Sequence, residues 1–412
     1  MLDLLLTTAQ TLRAHAFRFA LTSLGVSWGT MMLIYLTASV TGIDRHFSRE
    51  IAEVGPRIVW LFPGVVIKDR VGERGARSVE LEREDVERIA TLRSVEHAAP
   101  NTALWSSVVR GGGRTRLFTV YGVAAESAAI RNLEPERGRF PGPTDVARGA
   151  RVAFLGHAAA QRLFGRADPI GRTLQIESLG FRVIGVARAK GDQLINMGGQ
   201  DDKAIYVPHT TVQRWFRHEQ PFEALIFAPH DAEHSQEAIT QVRALTGLHH
   251  DFAPDLETAL SFVNIQDILA IVKNIGRGLR VFLIAAGLVT MLVGAVGIMN
   301  IMLVVVAERR REIGLRQALG ARRRDIFRQF LAETLAVCLL SGLAGAGLGA
   351  AAVLAMASGI RRSGSDFTSP PELSITTAAA VTGALVAVGV AAGILPALRA
   401  ARVDPAEALR SA

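Results

Sequence analysis

The chain has 412 residues, of which 49% are hydrophobic, with a net charge of +8 and a mean hydropathy of +0.27. A water-soluble enzyme of this length is usually less apolar, so these values favour a membrane protein. The excess positive charge is mostly arginine without interleaved aromatic residues, which argues against nucleic-acid binding. The single cysteine, Cys338, excludes a disulfide within the chain.

Four uncharged runs are long enough to cross a bilayer, which takes about 20 residues in a helix. Buried helices of soluble proteins rarely exceed about 14 such residues, so a soluble core explains the runs poorly. We therefore predict an α-helical membrane protein with four transmembrane helices. These cover 19–43, 281–307, 333–360, whose uncharged part begins at 334, and 373–398.

Charge between the runs predicts the side of the membrane on which each segment lies. Residues 308–328 carry eight arginines against three acidic residues, whereas 43–280 are nearly balanced, with 31 basic and 29 acidic residues. Basic loops beside a span stay in the cytoplasm. The cytoplasmic segments are then 1–18, 308–328 and the tail 399–412, and the external ones are 44–275 and the short loop 361–372.

Residues 44–275 are predicted to form a large extracytoplasmic α+β domain inserted between helices 1 and 2. Periodicity and turn residues place its elements. Strands are expected at 58–62, 223–228 and 248–252, helices at 81–92, 232–246 and 255–275, and a hairpin at 103–110 with 115–123.

A second group of elements lies in the middle of this domain. Short strands are expected at 151–155, 171–176, 181–187 and 204–207. They indicate a β-rich subdomain, 124–218, inserted into an α+β subdomain made of 44–123 and 219–275. The loop 189–203 is rich in glycine and aspartate, and its contact with a substrate or a periplasmic partner is left open.

Segment 308–328 is a short amphipathic stretch in which Ile313, Leu315 and Leu319 are surrounded by arginines. Such a segment can anchor a helix exit to anionic lipid. It can equally dock into a protein partner as an apolar contact with a charged rim. The two interpretations are compatible with each other.

Three separated stretches resemble the MacB/FtsX-type ABC transporter permeases, and a fourth, 17–34, matches more loosely. They are VGAVGIMNIMLVVVAERRREIGLRQALGARRRD (293–325), ARVAFLGHAAAQRLFGRADPIGRTLQIESLGFRVIGVARAKGD (150–192) and GILPALRAARVDPAEALR (393–410). The resemblance implies a bacterial inner-membrane permease that forms a homodimer or heterodimer. It also implies a partner ABC ATPase, which uses ATP and magnesium, and a membrane-fusion or other periplasmic protein as a further partner.

In that family, segment 308–328 contacts the ATPase. The residues expected nearest to it are Glu308, Glu312, Ile313, Leu315, Arg316 and Leu319. The resemblance further implies mechanotransmission, in which the ATPase moves this segment and the inserted domain works on a peptide, lipoprotein or amphipathic drug. A non-transporting scaffold that relays the ATPase state to a cell-wall hydrolase is the alternative.

No enzymatic activity is expected of this chain, because a Walker A loop requires G-x-x-x-x-G-K-[ST] and none of its four lysines fits. No catalytic cluster and no bound cofactor are predicted. His230 and His234 have a spacing that can hold zinc but lack an evident third ligand, and His249 and His250 before Asp251 are equally weak. We therefore predict no metal site.

Small residues allow membrane helices to approach closely. Six glycines in the spans are assigned to helix packing, with packing inside one chain favoured over a dimer contact. They are Gly294, Gly297, Gly345, Gly349, Gly389 and Gly393.

Overall fold

The computed structural model describes residues 16–55, 57–70, 73–191, 199–218, 220–363, 371 and 375–405. Most of the predicted N-terminal segment, the centre of the 189–203 loop, most of the 361–372 loop and the end of the tail lie outside these ranges. The chain divides into two compact units. We call Phe47–Val272 the inserted domain, and Met1–His46 with Lys273–Ala412 the membrane unit.

The helices are α1 (Ala16–Val54), α2 (Arg83–Ile89), α3 (Ser127–Ile130), α4 (Pro143–Arg148), α5 (His157–Phe164), α6 (His209–Val212), α7 (Ser235–His249), α8 (Ile265–Glu308), α9 (Arg310–Ala318), α10 (Arg323–Ser363) and α11 (Ile375–Ala401). The strands are β1 (Val59–Pro63), β2 (Val65–Arg70), β3 (Glu73–Ser78), β4 (Val95–Gly111), β5 (Arg114–Val123), β6 (Pro135–Gly138), β7 (Val152–Leu155), β8 (Thr173–Ile176), β9 (Leu179–Ala187), β10 (Ile205–Pro208), β11 (Ala224–Pro229) and β12 (Leu260–Asn264).

Four helices in the described part of the chain are long and apolar enough to cross a membrane, the number that the sequence predicts. They are Ser23–Ser48, Ile265–Glu308, Arg323–Arg362 and Thr376–Ala401. Each includes nearly all of the corresponding uncharged run. Helix α8 continues well beyond its run at the N-terminal end, because it starts directly after β12.

The inserted domain is built on one twisted sheet in the order β12-β1-β11-β4-β5-β10-β7-β9-β6, with β8 paired to both β4 and β9. The pairs β5–β10 and β7–β9 are parallel, and the other pairs are antiparallel. A separate hairpin joins β2 to β3. The domain is therefore α+β, as the sequence predicts.

Four buried apolar clusters lie in the described part of this domain, and the two largest show how it is divided. One contains Leu61, Leu81 and Phe227, and the other contains Phe118 and Phe181. The predicted subdomain division put the hairpin of β4 and β5 with the first core, but Phe118 belongs to the second. The 17-residue strand β4 explains the difference, since its first half pairs with β11 and its second half with β5.

Two predicted elements after α7 are wrong. Residues 248–252 are not a strand, because α7 continues to His249 and Phe252 then donates a backbone hydrogen bond to Gly247 at 3.0 Å. The predicted helix 255–275 begins only at Ile265, since 260–264 form β12 and pair with β1. The hairpin β2–β3 was missed. The other predicted strands and helices occur within a few residues of their expected ends, with β4 starting earlier.

A buried ionic cluster lies near the middle of the sheet. The Asp201 carboxylate is 3.3 Å from Arg131 Nη1 and 3.0 Å from Lys190 Nζ, and it accepts a 2.7 Å hydrogen bond from Tyr206. Burial opposes the ionisation of Asp201, but Lys190 and Arg131 outweigh it and hold its pKa below the ordinary 3.8. The cluster joins four separate segments of the inserted domain.

Candidate coupling site

Helix α9 follows α8 with only a slight interruption at Arg309. The Arg309 amide still donates to the Val305 carbonyl, and the Ile313 amide donates to the Arg309 carbonyl, both at 3.0 Å. Helical hydrogen bonding therefore passes across the junction. A force applied to α9 would act on α8 through a stiff connection and not through a loose loop.

The C-terminal end of α9 is closed by a glycine in the left-handed region. Gly320 has φ +100°. Its amide donates to the Gln317 carbonyl at 3.1 Å, and the Ala321 amide donates to the Arg316 carbonyl at 3.0 Å. This pair of bonds is a Schellman motif, which ends a helix sharply. The chain can then start α10 at Arg323.

The inner face of α9 is held by Ile313, which is only 2% exposed. It belongs to the same buried cluster as Ile326 and Phe330 of α10 and Ala397 of α11. The sequence placed Ile313 among the residues nearest a partner. The structure instead places it in the protein's own core, so it fixes α9 to the membrane unit.

The outer face carries the apolar and acidic residues that the sequence singled out. Leu315 and Leu319 are 51% and 82% exposed, and Glu308 and Glu312 are also exposed. Spacings of four, three and four residues place Glu308, Glu312, Leu315 and Leu319 on one helix face. Two exposed leucines in the middle of a highly charged segment form a small apolar surface.

A chain of polar contacts connects this face to the buried part of α10. Arg316 donates to Glu312 at 2.6 Å and to Gln329 at 2.9 Å. Gln329 donates to Glu333 at 3.1 Å, and the Glu333 carboxylate is 3.7 Å from Arg309 Nη1. The Glu333 side chain is only 3% exposed. This chain was not predicted, since the sequence shows Glu333 only as the charged residue at the start of a span.

Five of the six glycines assigned to packing lie against other helices of the same chain. A Cβ on Gly294 would lie 2.6 Å from the Val26 amide nitrogen, and one on Gly345 would lie 2.2 Å from the Ser27 carbonyl oxygen, both on α1. Gly349 also faces α1. Gly389 and Gly393 of α11 face α10, and Gly297 is half-buried.

Two protein families match most of the chain. A family described as the MacB-like periplasmic core domain matches residues 19–245, and one described as the FtsX-like permease C-terminal matches 284–405. The chain belongs to the MacB/FtsX-type family of ABC transporter permeases. It is accordingly a multi-pass inner-membrane protein, and its inserted domain is the periplasmic α+β domain of this permease family.

Curated relatives of this MacB/FtsX-type permease are named "Macrolide export ATP-binding/permease protein MacB". The protein from Rhodospirillum rubrum is 34% identical over 97% of this chain, and that from Azoarcus is 33% identical over 98%. The protein from Neisseria meningitidis serogroup A is 30% identical over 98% of the chain. The chain spans only 59–60% of the length of these relatives.

Two solved structures resemble the inserted domain of the permease. The periplasmic region of MacB from Actinobacillus actinomycetemcomitans matches 54% of this chain and 96% of its own, at 20% identity and a TM-score of 0.43. The extracellular domain of the ABC-type transporter YknZ matches 50% of this chain and all of its own, at 16% identity and a TM-score of 0.40.

Proposed function

We propose that this chain is the permease part of an export system of the MacB/FtsX type. In this proposal an ABC ATPase hydrolyses ATP with magnesium and moves α9. The membrane helices carry that movement, and the inserted domain works on a substrate outside the bilayer. The chain itself binds no nucleotide in this scheme.

The outer face of α9 carries the proposal. Leu315 and Leu319 are exposed to water in the isolated chain, whereas the opposite face is fixed by Ile313. An exposed apolar pair with a rim of Glu312 and Arg316 matches the composition of a protein contact, with an apolar centre and a charged border. A helix held to anionic headgroups by charge alone would need only the arginines.

Two connections in the structure support the proposed transmission from this face. One is the nearly continuous helix from α9 into α8, which at about 1.5 Å per residue makes α8 alone some 66 Å long. The other is the polar chain from Glu312 through Arg316 and Gln329 to Glu333. Both are stiff, which is what a rigid-body displacement requires.

Export is favoured over the scaffold alternative because the curated relatives that match nearly the whole chain are named for macrolide export. We extend this to an amphipathic drug, peptide or lipoprotein as substrate class. The permease is proposed to act as a dimer with both termini in the cytoplasm, and a membrane-fusion protein would continue the path outward.

The test is co-purification of the chain in detergent with its cognate nucleotide-binding subunit, together with stimulated ATP hydrolysis. Leu315→Asp and Leu319→Asp would bury an unpaired carboxylate at the contact, which costs about 3–5 kcal/mol, or roughly 100-fold or more in affinity. Leu248→Asp is the matched control, because Leu248 is also 82% exposed but lies in the inserted domain.

Binding and transmission can be separated with Glu333→Gln. This variant keeps the outer face of α9 intact but weakens the polar chain at its buried end. We expect normal co-purification with reduced ATPase stimulation. If Leu315→Asp and Leu319→Asp bind and stimulate like the control, the segment is a lipid anchor and the proposed contact is wrong.

A further inference from the structure

A cluster of three potential metal ligands lies in the inserted domain, away from the coupling site. Asp85 is in the first turn of α2, and His249 is the last residue of α7, followed by His250. His250 Nε2 is 2.9 Å from Asp85 Oδ1, and His249 Nε2 is 4.0 Å from the same oxygen. One ligand atom from each residue lies within 4.8 Å of the other two.

The protein holds these groups in place. The Asp85 side chain is 1% exposed, and Oδ2 accepts a 2.8 Å hydrogen bond from the Glu82 amide. Arg77 donates to the His250 carbonyl, which fixes the backbone after α7. The side chains of His249 and His250 are 23% and 13% exposed, so an ion from solution could reach them.

The donor set suits a borderline transition metal. Zinc binds imidazole nitrogen and carboxylate oxygen at about 2.0–2.2 Å, usually with tetrahedral geometry. Ligand atoms around such an ion are then separated by roughly 3.3 Å. The two separations from Asp85 Oδ1, 2.9 and 4.0 Å, lie on either side of this value. Binding of a shared ion requires the His249 ring to rotate so that its Nε2 moves closer to Asp85 Oδ1.

We propose that Asp85, His249 and His250 bind one zinc ion, or a divalent ion of similar chemistry, with water completing the tetrahedron. A simple hydrogen bond between Asp85 and His250 is the alternative explanation for their contact. It does not explain why the His249 nitrogen also lies near the same Asp85 oxygen. From the sequence, His249 and His250 before Asp251 were only a weak candidate, and Asp85 is separated from His250 by 165 positions.

A bound ion would cross-link two parts of the inserted domain. It would join α2 to the end of α7 and close a loop of more than 160 residues without a disulfide. A ligand that binds only the folded state raises the free energy of unfolding, and the increase grows with the ratio of the free ligand concentration to its Kd.

The experiment uses the full chain in detergent, purified without a polyhistidine tag and stripped with a chelator. Zinc alone is added, and bound metal is measured by elemental analysis after desalting. We expect one zinc per chain and a raised thermal midpoint. Cobalt(II) should give the visible absorption of a tetrahedral site, which reports ligand geometry independently of stability.

Three variants decide the outcome. His249→Ala and Asp85→Asn should weaken zinc binding by at least about 10-fold and abolish the tetrahedral cobalt spectrum. The asparagine keeps an oxygen for the Glu82 amide, so α2 should still fold. His234→Ala is the control, because that exposed histidine also lies beside an aspartate, Asp231, at 3.7 Å.

Loss of binding in the first two variants with retention in the control supports the site. The proposal is overturned if the wild-type chain retains no zinc, or if His249→Ala and Asp85→Asn bind it like the control. Adventitious binding to surface histidines would be recognised by a loss in His234→Ala equal to that in His249→Ala, and this outcome also overturns the proposal.

Discussion

The glycines of α10 offer a graded test of how the membrane unit is packed. A Cβ on Gly345 would lie 2.2 Å from the Ser27 carbonyl oxygen, about 1.2 Å inside the 3.4 Å at which ordinary contact begins. A Cβ on Gly349 would lie 3.1 Å from the Met31 carbonyl oxygen, whereas one on Gly347 would meet nothing within 4 Å. Alanine at these three positions therefore differs only in what the added methyl group encounters.

The magnitudes follow from those distances. Overpacking a tight site costs about 1–3 kcal/mol, and the upper end applies to Gly345→Ala because its obstacle is the backbone of a packed helix. That helix is also tied to α10 by the Ser27 hydroxyl, which donates to the Ser341 carbonyl at 2.7 Å. Gly349→Ala should cost less than about 1 kcal/mol. Gly347→Ala should be neutral or gain up to about 1 kcal/mol from helix propensity.

The assay is the fraction of monodisperse protein that remains after heating in detergent, measured by size-exclusion chromatography. At about 2–4 °C per kcal/mol, Gly345→Ala should lower the apparent midpoint by roughly 6–12 °C. Equal midpoints for Gly345→Ala and Gly347→Ala would refute the packing argument. A change in the dimer fraction without a lower midpoint would indicate that Gly345 lies at an interface between chains.

Three further predictions concern other parts of the molecule. Asp201→Asn should destabilise the inserted domain by about 3–5 kcal/mol. The folded state lowers the pKa of Asp201, so the stability that its carboxylate contributes is lost only as the pH falls below 3.8. When the unfolding midpoint is measured against pH, the variant should therefore show a smaller drop in acid than the wild type. In a Cys338→Ser background, a cysteine at Arg188 should react with an impermeant thiol reagent in spheroplasts and one at Arg323 should not, and the reverse pattern would overturn the orientation. Ile313→Ala should cost about 2–5 kcal/mol in the membrane unit through the cavity it leaves, with a lower thermal midpoint as the readout.

In the inserted domain, the local residue pattern was sufficient to predict some strands but not others. Strands such as β7 and β9 were predicted because apolar and β-branched residues lie between turn signals. The strand β12 was missed, because its residues precede a long helix without a break and its pairing partner, β1, is about 200 positions away. An edge strand of this kind is decided by the sheet it joins and not by its own five residues.

The coupling site, too, could be predicted from the sequence only in part. The position of α9 between two spans, its arginine content and its exposed Leu315 and Leu319 are visible in the sequence. The inward orientation of Ile313 is not, because alternative helix rotations would satisfy the same short segment. Contacts with α10 and α11 select one of them.

The amino-acid pattern was sufficient to predict four helices that can span a membrane and a large domain inserted after the first of them. A segment of about 20 apolar residues can cross a bilayer as a helix that satisfies its own backbone hydrogen bonds, so its length and hydropathy are sufficient to predict a span. The connection of Gln329 and Glu333 to α9, and the meeting of Asp85 with His249 and His250, could be seen only in the folded chain. These groups are far apart in the chain, or belong to different helices, and their proximity depends on how whole elements pack.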